Sequence, residues 1–452
     1  MINPAEAHVN SPEGRNAVFF VFVSGRECRT GELKSMGSVL YNSAINEKDG
    51  VFMPGKKDRW LTGICVILAV LMVYILIMLG LGYSLMDHSP YDSYTLQAMA
   101  WREGRMTVDG PSYTWLELAI YQDEYYVSFP PVPSVVMLPL TWIWGYNTPT
   151  MAVNLFMLLC TAAFGYALLL RLGHHPVRAA VVAFFYVCGC NILIIMLRGG
   201  VWYTAQGMSM LLTAAFLYGV NSPKEKHNRA AMSLGLVCLA LSVGCRPFQA
   251  VYVPYGLYKL YMWKHREGEK WIRTILGMVP YVIAPLMIAA AYGWYNTVRF
   301  DNPLEFGHNY LPEFTREGNT QFSLAHWPKN LKNIFRMPQI VNGVLTFDRL
   351  GPTALPLTCP IFVISMIETI RRLIRKKLDW EDVLLIASLF IHFNLLLLHR
   401  TLGGMQLGVR YMDDLVPALL LLTFRKKEKL SYIDVMLMLL GVGVNIYGAI
   451  VF

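Results

Sequence analysis

From residue 61 onward, long apolar runs alternate with short polar segments. Residues 61–82 hold no charged side chain. A helix over them is long enough to cross a bilayer, since about 20 apolar residues span the hydrocarbon at a rise of about 1.5 Å each. Comparable runs recur at 151–172, 179–197, 204–220, 230–245, 248–263, 272–295, 350–370, 383–398, 412–424 and 432–452. A further run, 131–144, is too short to cross and reads as a re-entrant or juxtamembrane helix. The pattern predicts an all-α fold, a polytopic transmembrane helical bundle of about 11 spans. Residues 56–452 build this bundle, with two large outer-face loops at 83–130 and 296–349. Residues 1–55 are mixed and polar, and are expected to form a poorly ordered cytoplasmic tail.

Composition agrees with a membrane domain. The chain is 55% hydrophobic and 15% charged, with a mean hydropathy of +0.40, whereas soluble domains carry about 25% charged residues. The net charge of +9 falls in clusters between apolar runs: Lys56/Lys57/Arg59, Lys224/Lys226/Arg229, Lys264/Arg266/Lys270, Arg371/Arg372/Arg375/Lys376/Lys377 and Arg425/Lys426/Lys427/Lys429. Cytoplasmic loops carry such an excess of Lys and Arg. Orientation and anchoring account for these clusters, so nucleic acid is not expected as a partner. With them inside, both large loops lie outside. The expected setting is a multi-pass integral membrane protein of the bacterial cytoplasmic membrane, with its active site on the outer face. The eight cysteines include no CxxC pair and no Cys/His spacing for zinc.

The first loop is acidic and aromatic, with Asp87, Asp92, Glu103, Asp109, Glu117, Asp123 and Glu124. Unpaired carboxylates do not lie in hydrocarbon, so this stretch sits at the membrane surface. Within it, Tyr94, Ala98 and Trp101 recur at helical spacing, and Asp92 precedes them. An Asp at a helix start is commonly a cap. It is also a charged carboxylate at the surface, suited to act as general base on a hydroxyl, and Asp87 is its nearest rival. Downstream, Tyr126-Val-Ser-Phe-Pro-Pro-Val-Pro133 interrupts regular structure, as an entry loop or as a cavity wall. In the second loop, Arg299 stands among aromatics and amides, either snorkelling or holding a phosphate. Arg410 either pairs with Asp413 or Asp414 at i+3 or i+4, or faces a cavity unpaired. Arg246 also lies at the end of an apolar run. No P-loop is present, which argues against an ATP-driven pump.

Four features in order carry a resemblance: Asp92 ahead of Ala98 and Gly104-Arg105; Tyr126-Val-Ser-Phe-Pro-Pro-Val-Pro133; Asn296-Thr-Val-Arg-Phe-Asp-Asn-Pro-Leu-Glu-Phe-Gly307; and Gly408-Val-Arg410-Tyr411 followed by Pro417. Over roughly residues 61–424 the chain resembles the GT-C class of membrane glycosyltransferases. It is most similar to bacterial relatives of protein O-mannosyltransferases and aminoarabinose transferases. The resemblance implies inverting transfer of a sugar from a polyprenyl-phosphate donor to a hydroxyl of a lipid, glycan or protein acceptor at the outer face, among membrane lipids. It implies Asp92 or Asp87 as catalytic base, and Arg410, Arg299 and Arg246 on the donor phosphate. Glu117, His308, Tyr310 and Tyr126 are expected to contact substrate. The family's Asp-Glu pair is absent, because His88 follows Asp87 and Ser93 follows Asp92, so the choice of base stays open. No cofactor or metal is expected to be obligatory, although the carboxylates could take a divalent cation. The competing readings are a transporter or flippase of a lipid-linked glycan, and a glycan polymerase or ligase.

Overall fold

The computed structural model describes residues 55–110, 117–221, 229–315, 320–348, 354–404 and 406–451. The expected N-terminal tail up to residue 54, Lys224, Lys226, Arg316 and Glu317 lie outside the described residues.

The described chain is a helical bundle whose two ends differ in chemistry. At one end the basic clusters converge. Tyr166 donates to the Arg59 carbonyl (2.7 Å), and Lys259 pairs with Glu381 (2.8 Å). Arg425 pairs with Asp379 and Asp382, and Arg178 donates to the Lys427 and Glu428 carbonyls. At the other end, Met151 N–H donates to Asp87 O (3.4 Å), Val201 N–H to Tyr91 O (2.8 Å), and Arg400 N–H to Gln321 O (2.8 Å). The chain runs between these ends along α1 (Lys56–Gly80), α4 (Thr150–Arg171), α5 (Pro176–Cys188) continued by α6 (Ile192–Met196), α7 (Val201–Val220) and α8 (Arg229–Val243). It continues along a 3-10 turn leading into α9 (Val253–Lys264), α10 (Trp271–Phe300), and α12 (Leu355–Thr358) followed by α13 (Ile361–Ile374). The last passes are α14 (Trp380–Leu397), a second 3-10 turn leading into α15 (Val416–Phe424), and α16 (Tyr432–Val451). These are eleven passes.

Five helices, α1, α4, α10, α14 and α16, are long and apolar enough by length and composition to cross a membrane. The outward faces of α1 and α10 are apolar, with Leu68, Met72, Leu76, Leu286 and Met287 exposed. That exposure would be costly in water and is natural against lipid, as in an integral membrane protein. By contrast α7 is buried and carries Thr204, Gln206, Ser209 and Thr213 inward. It packs on α8 so closely that a Cβ on Gly219 would lie 2.5 Å from the Ala231 carbonyl oxygen, the small-residue contact typical of membrane helices.

Helix α3 (Val132–Trp144) does not cross. Val132 N–H donates to Gly244 O (3.0 Å), and Arg102 donates to Thr141 O (2.7 Å), so both ends lie at the end away from the basic clusters. Its 13 residues extend about 20 Å, short of a hydrocarbon core of about 30 Å. The large loops are more structured than their polarity implied. The first holds α2 (Ser93–Arg102) and the antiparallel hairpin β1 (Leu118–Tyr121)–β2 (Glu124–Val127). The second holds α11 (His326–Asn333) and the hairpin β3 (Gln339–Val341)–β4 (Val344–Thr346). One boundary is corrected: α10 continues to Phe300, so Asn296 and Arg299 belong to its last turn and not to the loop. Local i→i−4 bonding persists until Asp301 takes a left-handed φ of 55°.

Candidate functional site

Arg410 is held by its backbone. Its N–H donates to Gln406 Oε1 (2.8 Å), and its carbonyl accepts from Gln206 Nε2 (2.6 Å). Its guanidinium lies 5.0 Å from the Tyr203 ring and 5.2 Å from the Tyr411 ring. The residue is 4% exposed, and neither Nε nor Nη1 has a hydrogen-bond partner. The local pair with Asp413 or Asp414 does not form. Asp414 turns instead to Arg246 (2.9 Å) and to Gln206 (2.8 Å). A buried cation without an ion partner is expensive; Asp413, which lines the same small space as Arg410, also leaves both carboxylate oxygens without a partner among the described residues.

Arg410 itself lines only a space of about 10 Å³ that it shares with Tyr203, Gln406 and Asp413, and two larger cavities reach its tyrosine neighbours. One, of about 250 Å³, is walled by Arg246, His308, His399, Glu305 and Tyr411 with Phe129, Phe248 and Phe322. The rings of His308 and His399 are 6.2 Å apart. Burial, together with each other's field and that of Arg246, lowers His308 to about 3; burial lowers His399 to about 4. Both imidazoles are therefore neutral at neutral pH and can donate or accept. The other cavity, of about 630 Å³, is lined by Asp87, His88, Tyr91, Arg198, Trp202 and Tyr203. Tyr203 and Tyr411, the two rings against Arg410, thus belong to different cavities.

Glu117 sits on the Trp202 side. Its backbone holds a left-handed φ of 50°, and its carbonyl accepts from Ser128 Oγ (2.8 Å). Trp202 Nε1 donates to its carboxylate. A non-glycine residue in this region is strained unless its surroundings fix it, and such strain gathers at functional sites. Burial raises the Glu117 carboxyl to about 7, with Glu313 adding to the rise and Trp202 and Arg410 opposing it. An unfolded chain would release this proton near 4.5. Between those values the native state binds the extra proton, so stability falls as pH rises through the window. We expect Glu117→Gln to flatten that slope in thermal unfolding series in detergent. An unchanged slope would locate the proton elsewhere.

Asp92 is the N-cap of α2. Oδ1 accepts from Tyr94 N–H (3.1 Å) and Thr95 N–H (3.2 Å), and Oδ2 accepts from Thr95 Oγ1 (2.5 Å). It is 1% exposed. Burial raises its carboxyl, against the bonds from Thr95 and Tyr94 and the nearby His88. Asp87 is exposed to the larger cavity, and its Oδ2 accepts from Ser84 N–H (2.7 Å).

The remaining expected residues lie apart. Arg299 is 1% exposed, donating to Val127 O (2.8 Å) and Asn296 Oδ1 (3.2 Å) while stacked 3.9 Å from the Tyr295 ring. It is a strut between α10 and β2, because Nη1 and Nη2 are already given to protein and only Nε is without a partner among the described residues. Tyr126 and Tyr310 pack on Phe300 at 5.3 and 5.4 Å. None of these three lines either cavity. The structure therefore places Arg246 and His308 on one cavity and Asp87 on the other, while Arg410 and Glu117 line neither and touch the second only through Tyr203 and Trp202. It adds His399, Trp202, Tyr203 and Tyr411, which sequence reasoning missed. His399 closes a leucine-rich run and Trp202 follows Arg198-Gly-Gly, the same run-end position that singled out the arginines.

No family model matches the chain, and no curated protein matches it. Among solved structures, it is similar to the crystal structures of ArnT from Cupriavidus metallidurans bound to undecaprenyl phosphate and in the apo state. Each shows 15% identity and a TM-score of 0.48, covering 84% of this chain and 62% of that one. It is also similar to the oligosaccharyltransferase from Archaeoglobus fulgidus in the apo form, at 13% identity and a TM-score of 0.49, covering 87% of this chain and 55% of that one. The chain thus spans less than two thirds of the length of each of these proteins.

Proposed function

We propose that this protein is a membrane glycosyltransferase that moves a sugar from a polyprenyl-phosphate donor to an acceptor hydroxyl at the outer face. The observation that carries the reading is Arg410, a buried guanidinium with two unmet donors, stacked between the tyrosines of two cavities. A phosphate is the anion that such a planar fork receives best. Arg246 stands one cavity wall away, and the apolar outer faces of the bundle suit a long isoprenoid tail. As the sugar–phosphate bond breaks, charge grows on the departing phosphate, and a fixed, water-poor cation stabilises that charge more than it stabilises the ground state.

The acceptor needs one base. Asp92 supplies it in this reading: its burial strengthens its hold on a proton, and the N-terminal turn of α2 fixes its position. The acceptor hydroxyl reaches Oδ2 once Thr95 Oγ1 yields. The hydroxyl oxygen attacks the anomeric carbon, its proton passes to Asp92, and the phosphate leaves with the bonding pair. A phosphate leaving group requires no acid, so one carboxylate suffices, and direct displacement inverts the anomeric centre. No metal enters this scheme. Loss of activity on chelation, restored by adding a divalent ion, would overturn that part.

The test is transfer of radiolabelled sugar from synthetic polyprenyl-phosphate sugars to a membrane lipid extract by the purified protein. Inverted product and free polyprenyl phosphate are expected. Movement of intact donor across proteoliposomes without transfer would replace this reading with a flippase.

A further inference from the structure

A second charged site lies at the end of the bundle away from Arg410. The end of α13 and the turn after α15 enclose a cleft of about 460 Å³. Its floor is built and neutralised. Arg372 donates to Asp382 (3.0 Å), Glu368 (3.3 Å) and the Leu422 and Thr423 carbonyls (2.5 and 2.9 Å). Lys427 pairs with Glu368 (3.3 Å) and Asp434 (2.9 Å). Lys426, also on the wall, is taken up by Asp379 and Asp382 (both 2.8 Å).

The rest of the lining is different. Arg371, Arg375, Lys377 and Lys429 line the same cleft, and none makes an ion pair among the described residues. One carboxylate, Glu428, faces these four cations. Orientation in the membrane requires only that cations lie on this side; it does not require them to enclose a cleft over a paired floor. Beside the cleft, α13 exposes Met366, Ile370, Leu373 and Ile374. Their spacing of i, i+4, i+7 and i+8 makes one apolar stripe, with Arg371 set about 60° around the helix from its edge at Ile374.

We propose that this cleft binds the headgroup of an anionic phospholipid bearing two phosphates, with its acyl chains along the α13 stripe. Four uncompensated cations facing one carboxylate exceed what a single phosphate balances, and the adjoining stripe favours an amphiphile over a soluble anion. Basic pockets between membrane helices on this side are suited to such headgroups. The inference does not depend on the transferase reading.

Native mass spectrometry and thermal unfolding of the full chain in detergent test it. The probes are cardiolipin, phosphatidylglycerol, phosphatidylethanolamine and inorganic pyrophosphate. One cardiolipin per chain is expected, bound more tightly than either other lipid and raising the unfolding temperature. R371Q/R375Q should weaken that binding about thirtyfold, from the usual contribution of each surface cation. K377Q/K429Q provides a second pair should the first unfold. R266Q/K270Q, at the same end but outside the cleft, should change nothing. Equal binding by wild type and both cleft variants would overturn the proposal, as would equal binding of phosphatidylethanolamine. Displacement of cardiolipin by equimolar pyrophosphate would assign the cleft to a soluble anion instead.

Discussion

Arg410→Met is expected to lower sugar transfer about a hundred- to a thousandfold, the range for loss of one preorganised donor to developing charge, while the unfolding temperature in detergent stays level or rises. The two halves of this result come from one feature. The Arg410 guanidinium is 4% exposed and leaves Nε and Nη1 without partners. Replacing a buried charge that makes no ion pair by an apolar side chain of similar length removes a desolvation penalty. A residue kept at a cost to the fold is one whose return comes in function.

Arg299 provides the contrast. Its guanidinium donates to Val127 O and Asn296 Oδ1, so Arg299→Met strands two buried acceptors at about 1–3 kcal/mol each. That variant should unfold at lower temperature, and whatever folded protein remains should turn over nearly normally. Transfer by Arg410→Met within threefold of wild type would remove the phosphate from this position. A fall in its unfolding temperature matching that of Arg299→Met would make Arg410 a strut as well.

The alternation of apolar and polar segments was sufficient to read the passes and the failure of α3 to cross, because hydrocarbon sets a length that sequence must meet. It was less informative where passes are broken. The run at 179–197 breaks after Cys188, and Arg410–Leu415 is a 3-10 turn within an apolar stretch. Hydropathy has no term for such interruptions. The second hairpin was available locally: Asn342 and Gly343 both take positive φ between β3 and β4, and Asn-Gly is the preferred pair for that turn. In the first hairpin, Gln122 and Asp123 take the same conformations without the usual residues, so little in the sequence marked it.

For the site, the arginines at run ends were visible, but their partners were not. Sequence spacing favoured Arg410 with Asp413 or Asp414, three and four residues on. The fold gave Asp414 to Arg246, 168 positions away, and left Asp413 buried with neither carboxylate oxygen partnered among the described residues. Arg299 illustrates the converse. Its aromatic neighbours suggested an outer-face cation, yet one further turn of α10 carries it into the interior.

Asp92→Asn should reduce transfer by at least about a thousandfold, within the span expected for loss of a positioned general base, with no change in unfolding temperature. The substitution is informative because Asp92 does two jobs at once. As the N-cap of α2 it accepts from Tyr94 N–H and Thr95 N–H through Oδ1. Asn caps a helix about as well as Asp, and its amide oxygen can keep both bonds. The Thr95 hydroxyl, which now donates to Oδ2, can rotate to accept from the new amide N–H. The cap therefore survives, and what disappears is the ability to take a proton. Asp92→Ala would confuse the two roles, since it also gives up a cap worth about 1 kcal/mol. Were Asp92→Asn to turn over at the wild-type rate, Asp92 would be a cap alone. The base would then be Asp87, which already opens onto the larger cavity, and Asp87→Asn would show the thousandfold loss in its place.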